Sequence, residues 1–172
     1  IAAAPGSSTT FMTVGGFGLN MFRNDAFRTT DGGATFDLMT SDTSTLFSTV
    51  GRGYLGLVAR IVTPTAWVAF GGWSGGVNVF NEVRQSTNNG TTWTTLRENG
   101  GFGSSCADPA LWSGRYSFAY AYLPLRDRIV LAGGLTSHSP AGVFRNDVWA
   151  SDDGGTCWVE LVQNSEVAAT PG

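Results

Sequence analysis

Two arginines stand where an acidic substrate could be gripped: Arg52, followed after one residue by Tyr54, and Arg115, followed directly by Tyr116. With Glu82, Glu98 or Asp108 supplying carboxylate and acid, such a set would suit cleavage of a glycosidic bond beside a carboxylated sugar. The arginines and tyrosines recur at matching places in the chain, however. Recurrence fits a role in joining repeated sheets better than a unique catalytic one, so no catalytic residue is expected among them. His138, the only histidine, lies between Ser137 and Ser139 in the loop 135–144. It could be the base of a nucleophilic triad, but no Gly-x-Ser-x-Gly elbow accompanies it, and it is kept as a candidate ligand contact.

Metal chemistry finds no pattern. Cys106, Cys157 and His138 lack zinc-ligand spacing. Asp152-Asp153-Gly154-Gly155 lacks the alternating oxygen ligands of a calcium loop. No metal and no cofactor is expected. The two cysteines are either a disulfide or two buried thiols; a bridge closing about 50 residues would be worth roughly 4 kcal/mol in the chain-entropy view. Asn89-Gly90-Thr91 is a glycosylation sequon, which makes Asn89 a candidate glycan site. Trp73 and Phe17 each follow a Gly-Gly pair, and Trp112 lies in a connection. Exposed rings at such places could stack on sugars, so Trp73 and Trp112 are candidate ligand contacts.

Composition narrows the classes further. A chain of 172 residues can bury one domain. Its charged content of 13% is low against about 25% typical. Ten arginines and no lysine stand against 13 acidic residues, for a net charge of −3. The arginines are scattered, which argues against a nucleic-acid surface. No apolar run approaches the roughly 20 residues of a membrane span. The chain opens at Ile1 in an Ala-rich stretch without a Met, so any signal peptide is expected to be gone already. Arginine without lysine, Ser/Thr-rich loops and a candidate disulfide together give the expectation of a secreted protein.

What positions these residues is a repeat. Three times an apolar strand ends in Gly-Gly (Gly15-Gly16, Gly71-Gly72, Gly133-Gly134), followed by an Asn-acid pair (Asn24-Asp25, Asn81-Glu82, Asn146-Asp147). A polar turn closed by an aromatic residue comes next: 29–36, 86–93 and 151–158. From the Asn to the third turn residue the spacing is seven each time (24 to 31, 81 to 88, 146 to 153), while successive turns lie 57 and 65 residues apart (31 to 88, 88 to 153). Fixed inner and variable outer spacing means rigid units on adjustable loops. Period-two and short apolar runs predict strands at 11–14, 26–29 and 35–39; at 54–62, 66–70, 83–86 and 92–96; and at 116–122, 128–132, 147–151 and 157–162. The strand 128–132 reads as buried on both faces. No stretch sustains a helical period. The chain is therefore all-β, built of four-stranded units, which among repeat folds points to a β-propeller. The units span about 10–40, 52–97 and 112–162, with a tail at 163–172, in one segment of 1–172.

The turns resemble Asp-boxes (BNR repeats), Ser-x-Asp-x-Gly-x-Thr-Trp, and the Gly-Gly with Asn-Asp-Val-Trp resembles kelch repeats; both families form propeller blades. The third unit matches best, with Ser151, Asp153, Gly155 and Trp158, though Cys157 replaces Thr. The second keeps Ser86, Gly90, Thr92 and Trp93 but has Asn88 for Asp, and the first has Thr29 for Ser and Phe36 for Trp. The resemblance covers about residues 10 to 162. It implies that Asp31, Asn88 and Asp153 pin hairpin turns, that Gly33, Gly90 and Gly155 supply positive φ, and that Phe36, Trp93 and Trp158 fill spaces between sheets. It leaves open a sialidase-like glycosidase, but no Phe-Arg-Ile-Pro motif is present; Phe22-Arg23-Asn24-Asp25 and Phe144-Arg145-Asn146-Asp147 are kelch-like.

Propellers close with four to eight blades. Here there are three units, and the first is expected to lack its opening strand: Arg52 precedes Gly71 by 19 residues and Arg115 precedes Gly133 by 18, so its counterpart before Gly15 falls ahead of residue 1. Two open flanks follow, and apolar open faces mark interaction surfaces. Self-association is expected, as a closed dimeric ring or as a head-to-tail fibre with residues 166–169 completing the next copy's first blade. A fragment of a longer propeller, or a glycan or extracellular protein partner, is the alternative.

Overall fold

The computed structural model describes residues 1–42, 46–47, 50–76, 78–100, 106, 112–136 and 143–165. Three antiparallel sheets of four strands follow one another along the chain. The first comprises β1 (Ala2–Ala3), β2 (Phe11–Val14), β5 (Ala26–Thr29) and β6 (Asp37–Thr40). A two-stranded ribbon, β3 (Phe17–Gly18) with β4 (Met21–Phe22), extends from its middle connection. The second sheet is β7 (Gly56–Arg60), β8 (Ala66–Phe70), β9 (Val83–Ser86) and β10 (Thr94–Arg97). The third is β11 (Ala119–Leu123), β12 (Arg128–Leu135), β13 (Phe144–Ser151) and β14 (Val159–Val162), with one 3₁₀ turn, Pro124–Arg126, between β11 and β12. Within each sheet the strands pair in chain order, so each is an up-and-down meander. The chain is all-β with propeller-type blades, and none of the sheets closes into a barrel. Among the described residues no helix is long and apolar enough to cross a membrane.

The blades meet at their opening strands: β7 approaches β1 on one side and β11 on the other. Side-chain alternation then splits the core into two layers. Leu57, Ala59, Trp67 and Ala69 of the second sheet pack with Met12, Val14 and Ala26 of the first. Val58, Val68, Phe70 and Val83, on the opposite face, pack with Ile129, Leu131 and Trp149 of the third. At roughly 25 cal/mol per Å² of buried apolar surface, these two layers are the main favourable term in folding.

Gly15-Gly16 and Gly71-Gly72 sit where a blade's second strand meets the next blade's entering backbone, with the amides of Gly16 and Gly72 donating to the carbonyls of Arg52 and Arg115. Gly15 and Gly71 have φ of 58° and 70°. A Cβ on Gly15 would lie 2.3 Å from the Arg52 carbonyl oxygen, and one on Gly71 2.6 Å from the Phe118 ring. Only glycine fits that approach.

Three expectations are corrected. The opening strand of the first unit is not missing but present as the two-residue β1. Ala2 pairs with Met12 as Val58 pairs with Val68 and Ala121 with Val130, so β1 holds the opening strand's place. The strand expected at 128–132 is not buried on both faces: Ile129 and Leu131 are fully covered, while Val130 and Ala132 face outward with no sheet over them. It also continues through Gly133-Gly134 to Leu135, because a register shift between Ala132 and Gly134 lets the ladder resume with β13.

Candidate functional site

The three turns share one hydrogen-bond scheme. The first hydroxyl accepts from the amide of the turn glycine: Thr29 from Gly33 at 2.9 Å, Ser86 from Gly90 at 2.8 Å and Ser151 from Gly155 at 2.8 Å. The same hydroxyl donates to the third-position side chain, Asp31, Asn88 or Asp153, at 2.7, 3.0 and 2.9 Å. That side chain accepts the amide four residues on: Thr35, Thr92 and Cys157, at 3.0, 3.0 and 2.9 Å. Thr for Ser and Asn for Asp leave the scheme intact, because only a hydroxyl and one carbonyl-type oxygen are needed. The amide of Thr35, its hydroxyl and that of Thr29 hold the Asp31 carboxyl well below the usual carboxylate range.

The closing aromatic residues do not behave alike. Trp93 is 8% exposed within the first core layer and Trp158 1% exposed within the second, each against the sheet that precedes its own. Their indole nitrogens donate to the carbonyls of Gly90 (3.1 Å) and Gly155 (2.9 Å). Phe36 is 47% exposed and packs edge-on to Phe11 of its own sheet, at 5.8 Å between ring centres. The expectation that it fills a space between sheets is corrected: no sheet precedes the first in this structure.

A second constellation lies where the blades converge. Arg52 and Arg115 are fully buried. Arg52 is paired with Glu82, which also takes Arg84 at 2.7 Å, and its guanidinium is flanked by the rings of Phe80 (3.7 Å) and Phe47 (4.6 Å). Arg115 makes a two-pronged pair with Asp147 at 2.5 and 2.8 Å, and Trp149 adds an indole N–H at 2.9 Å. Burial pulls Arg52 down to about 10, partly offset by Glu82, so it stays charged at neutral pH. Burial alone would raise Glu82 and Asp147, but their arginines win and hold both below the ordinary value. Asp25 holds the same repeat position in the first unit, with Arg23 at 3.7 Å as its ion partner. Desolvation and the nearby Asp42 raise its pKa instead. The Asn of each Asn-acid pair also has a repeated task. The amides of Asn24, Asn81 and Asn146 donate to Asp42, Asn99 and Asn164, each 18 residues on.

Sequence reasoning missed the partnership between the arginines and the acids, although a signal existed. Arg52 to Glu82 spans 30 residues and Arg115 to Asp147 spans 32. It also treated Tyr54 and Tyr116 as equivalent, which the structure corrects. Gly53 bridges to Trp73 as Tyr116 bridges to Leu135, so Tyr116 matches Gly53. Tyr54 matches Ser117, with which it shares a left-handed backbone (φ 56° and 53°). Tyr54 is mostly exposed and Tyr116 is not.

Of the proposed ligand contacts, Trp112 is fully buried against Trp158 and Phe118, which removes it from any surface role. Trp73 is half-buried in a row of rings, stacked on Tyr116 at 5.4 Å and edge-on to Phe22 at 5.1 Å, with Tyr54 and Phe17 at its ends. His138 and Asp108 lie outside the described residues, as do residues 166–169. Glu98 is exposed. Cys106 and Cys157 form a disulfide, which decides between the two readings of these cysteines. Asn89 sits exposed at a turn tip with φ 60°. Among the described residues no three His, Cys, Asp or Glu side chains group as metal ligands.

Neither a protein-family model nor a curated protein matches the chain.

Proposed function

We propose that this chain is a secreted, non-catalytic β-propeller module of the kelch and Asp-box kind that works by assembly, its open blade flanks taking up further blades. One observation carries the reading: Phe36 lies exposed at the position where Trp93 and Trp158 are buried against a preceding sheet. The opposite flank matches it, with Val159, Leu161 and Val162 of β14 all exposed. Apolar sheet faces of this kind are interaction surfaces. The disulfide and the exposed sequon at Asn89 support an extracellular setting.

The glycosidase reading loses its carboxylate grip, because Arg52 and Arg115 are both buried and neutralised by Glu82 and Asp147. Turnover of a fluorogenic sialoside by the purified protein would overturn this part of the proposal. Sedimentation velocity and electron microscopy test the rest. Species larger than the 18.1 kDa chain, as rings or fibres, are expected. A stable monomer at tens of micromolar would refute assembly. A glycan-binding role has one observation in its favour, the ring row Phe17–Phe22–Trp73–Tyr54. Its test is a glycan array on which Trp73→Ala loses signal.

A further inference from the structure

We infer that the partner on the third sheet's open face is a second copy of this chain, bound head-to-tail, with its Phe36 seated against Ala121, Val130 and Val148. The inference rests on the assembly reading above and specifies the contact.

The two interfaces inside the chain are the templates. On each of the first two sheets, four positions line the layer that takes the next sheet's closing tryptophan. One lies three residues before the Gly-Gly pair: Met12 and Val68. Its cross-strand partner on the opening strand is Ala2 or Val58. The residue just after the paired acid is Ala26 or Val83, and three residues past the turn aromatic come Met39 and Leu96. All eight belong to or pack on the two core layers that hold Trp93 and Trp158. The turn glycine presses on the same face: a Cβ on Gly90 would meet Met12 at 2.6 Å, and one on Gly155 would meet Val83 at 2.8 Å.

The third sheet carries the same receiving set, uncovered. Val130 lies three residues before Gly133, Ala121 is its cross-strand partner, Val148 follows Asp147, and Leu161 stands three past Trp158. Leu161 is 52% exposed, whereas its counterparts Met39 and Leu96 are packed into a layer. Beside it, Ala150, Val159 and Leu161 line a depression of about 300 Å³ edged by Arg128 and Asp152.

The first sheet carries the complementary inserting set, equally uncovered. Phe11, Phe27 and Phe36 stand at the repeat positions that Ile129, Trp149 and Trp158 fill in the third sheet. Those three are buried, while Phe36 and Leu38 lie about half exposed to solvent. The turn glycine is ready too, since a Cβ on Gly33 would meet only Phe11 and Phe36 of its own sheet. Each intrachain contact runs from a receiving face to an inserting face. One chain presents one of each, so the copy-to-copy contact repeats the intrachain one instead of pairing like with like.

The test uses the full chain and two single variants, Phe36→Asp and Val130→Asp. Each should raise the self-dissociation constant at least about thirtyfold in sedimentation velocity, as loss of a central apolar anchor does. Mixed together, the two variants should form a one-to-one pair that grows no further, because each keeps one intact face. Phe36→Trp should tighten assembly, since tryptophan fills the two internal sites. Near-ultraviolet circular dichroism checks that Trp93 and Trp158 stay packed. Wild-type assembly that survives Phe36→Asp, or a mixture that gives no pair, overturns this contact while leaving assembly standing. A monomeric wild type overturns both.

Discussion

Ser151 shows how much one hydroxyl does here. It is buried, donates to Asp153 at 2.9 Å and accepts from Gly155 at 2.8 Å. Ser151→Ala leaves that amide unpaired inside the core and should cost about 1–2 kcal/mol in urea unfolding. Asp153→Asn should be close to neutral, because Asn88 already performs that task in the second turn. A Ser151→Ala variant as stable as the parent would contradict the hydroxyl's role. Glu82 is the opposite case, an acid between two arginines with no exposed side-chain surface. Glu82→Gln strands buried guanidinium charge and should destabilise by about 3–5 kcal/mol, read as a fall in the urea midpoint. The turns could be read from letters alone because their bonds are local, spanning two to four residues. The Glu82 pair could not, because it joins positions 30 apart.

Strands were readable wherever pattern and burial agree. Phe11–Val14, Ala26–Thr29, Ala66–Phe70 and Val83–Ser86 fall where expected. The closing strands start two residues late, at Asp37, Thr94 and Val159, since the turn aromatic and its neighbour belong to the turn. The opening strands start at Gly56 and Ala119, and upstream of each only a single isolated bridge forms, Gly53 with Trp73 and Tyr116 with Leu135. Between sheets, the turn aromatic carries most of the contact. Trp158→Ala should lower stability by about 3–5 kcal/mol, as large core truncations do. Phe36→Ala should change the isolated chain by less than about 1 kcal/mol, since its ring is half exposed. Thermal melts of both variants give the comparison, and equal losses would mean that the flanks are not open as described.

The whole molecule's response to acid follows from three homologous acids. Glu82 and Asp147 have pKa values held below those of the unfolded chain. Their stabilisation is therefore full above about pH 4 and is lost as pH falls through the lower, folded values. Asp25 runs the other way: burial favours its protonated form, so its ionisation above about pH 4 costs stability. Melting temperature should thus drop below pH 4, and Asp25→Asn should be at least as stable as the parent at pH 7, with the gap closing in acid. A variant weaker than the parent at pH 7 would show that the Arg23 contact outweighs the cost of burying Asp25. Repeat spacing, turn chemistry and strand alternation reach only to neighbours along the chain, and these were enough to declare an all-β protein of repeated blades. Which acid meets which arginine, that Trp112 lies inside, and that Phe36 is left facing solvent depend on how sheets stack. Stacking is a matter of contacts between residues far apart in the chain, and Phe36 occupies the same motif position as Trp158 with no sheet to bury it.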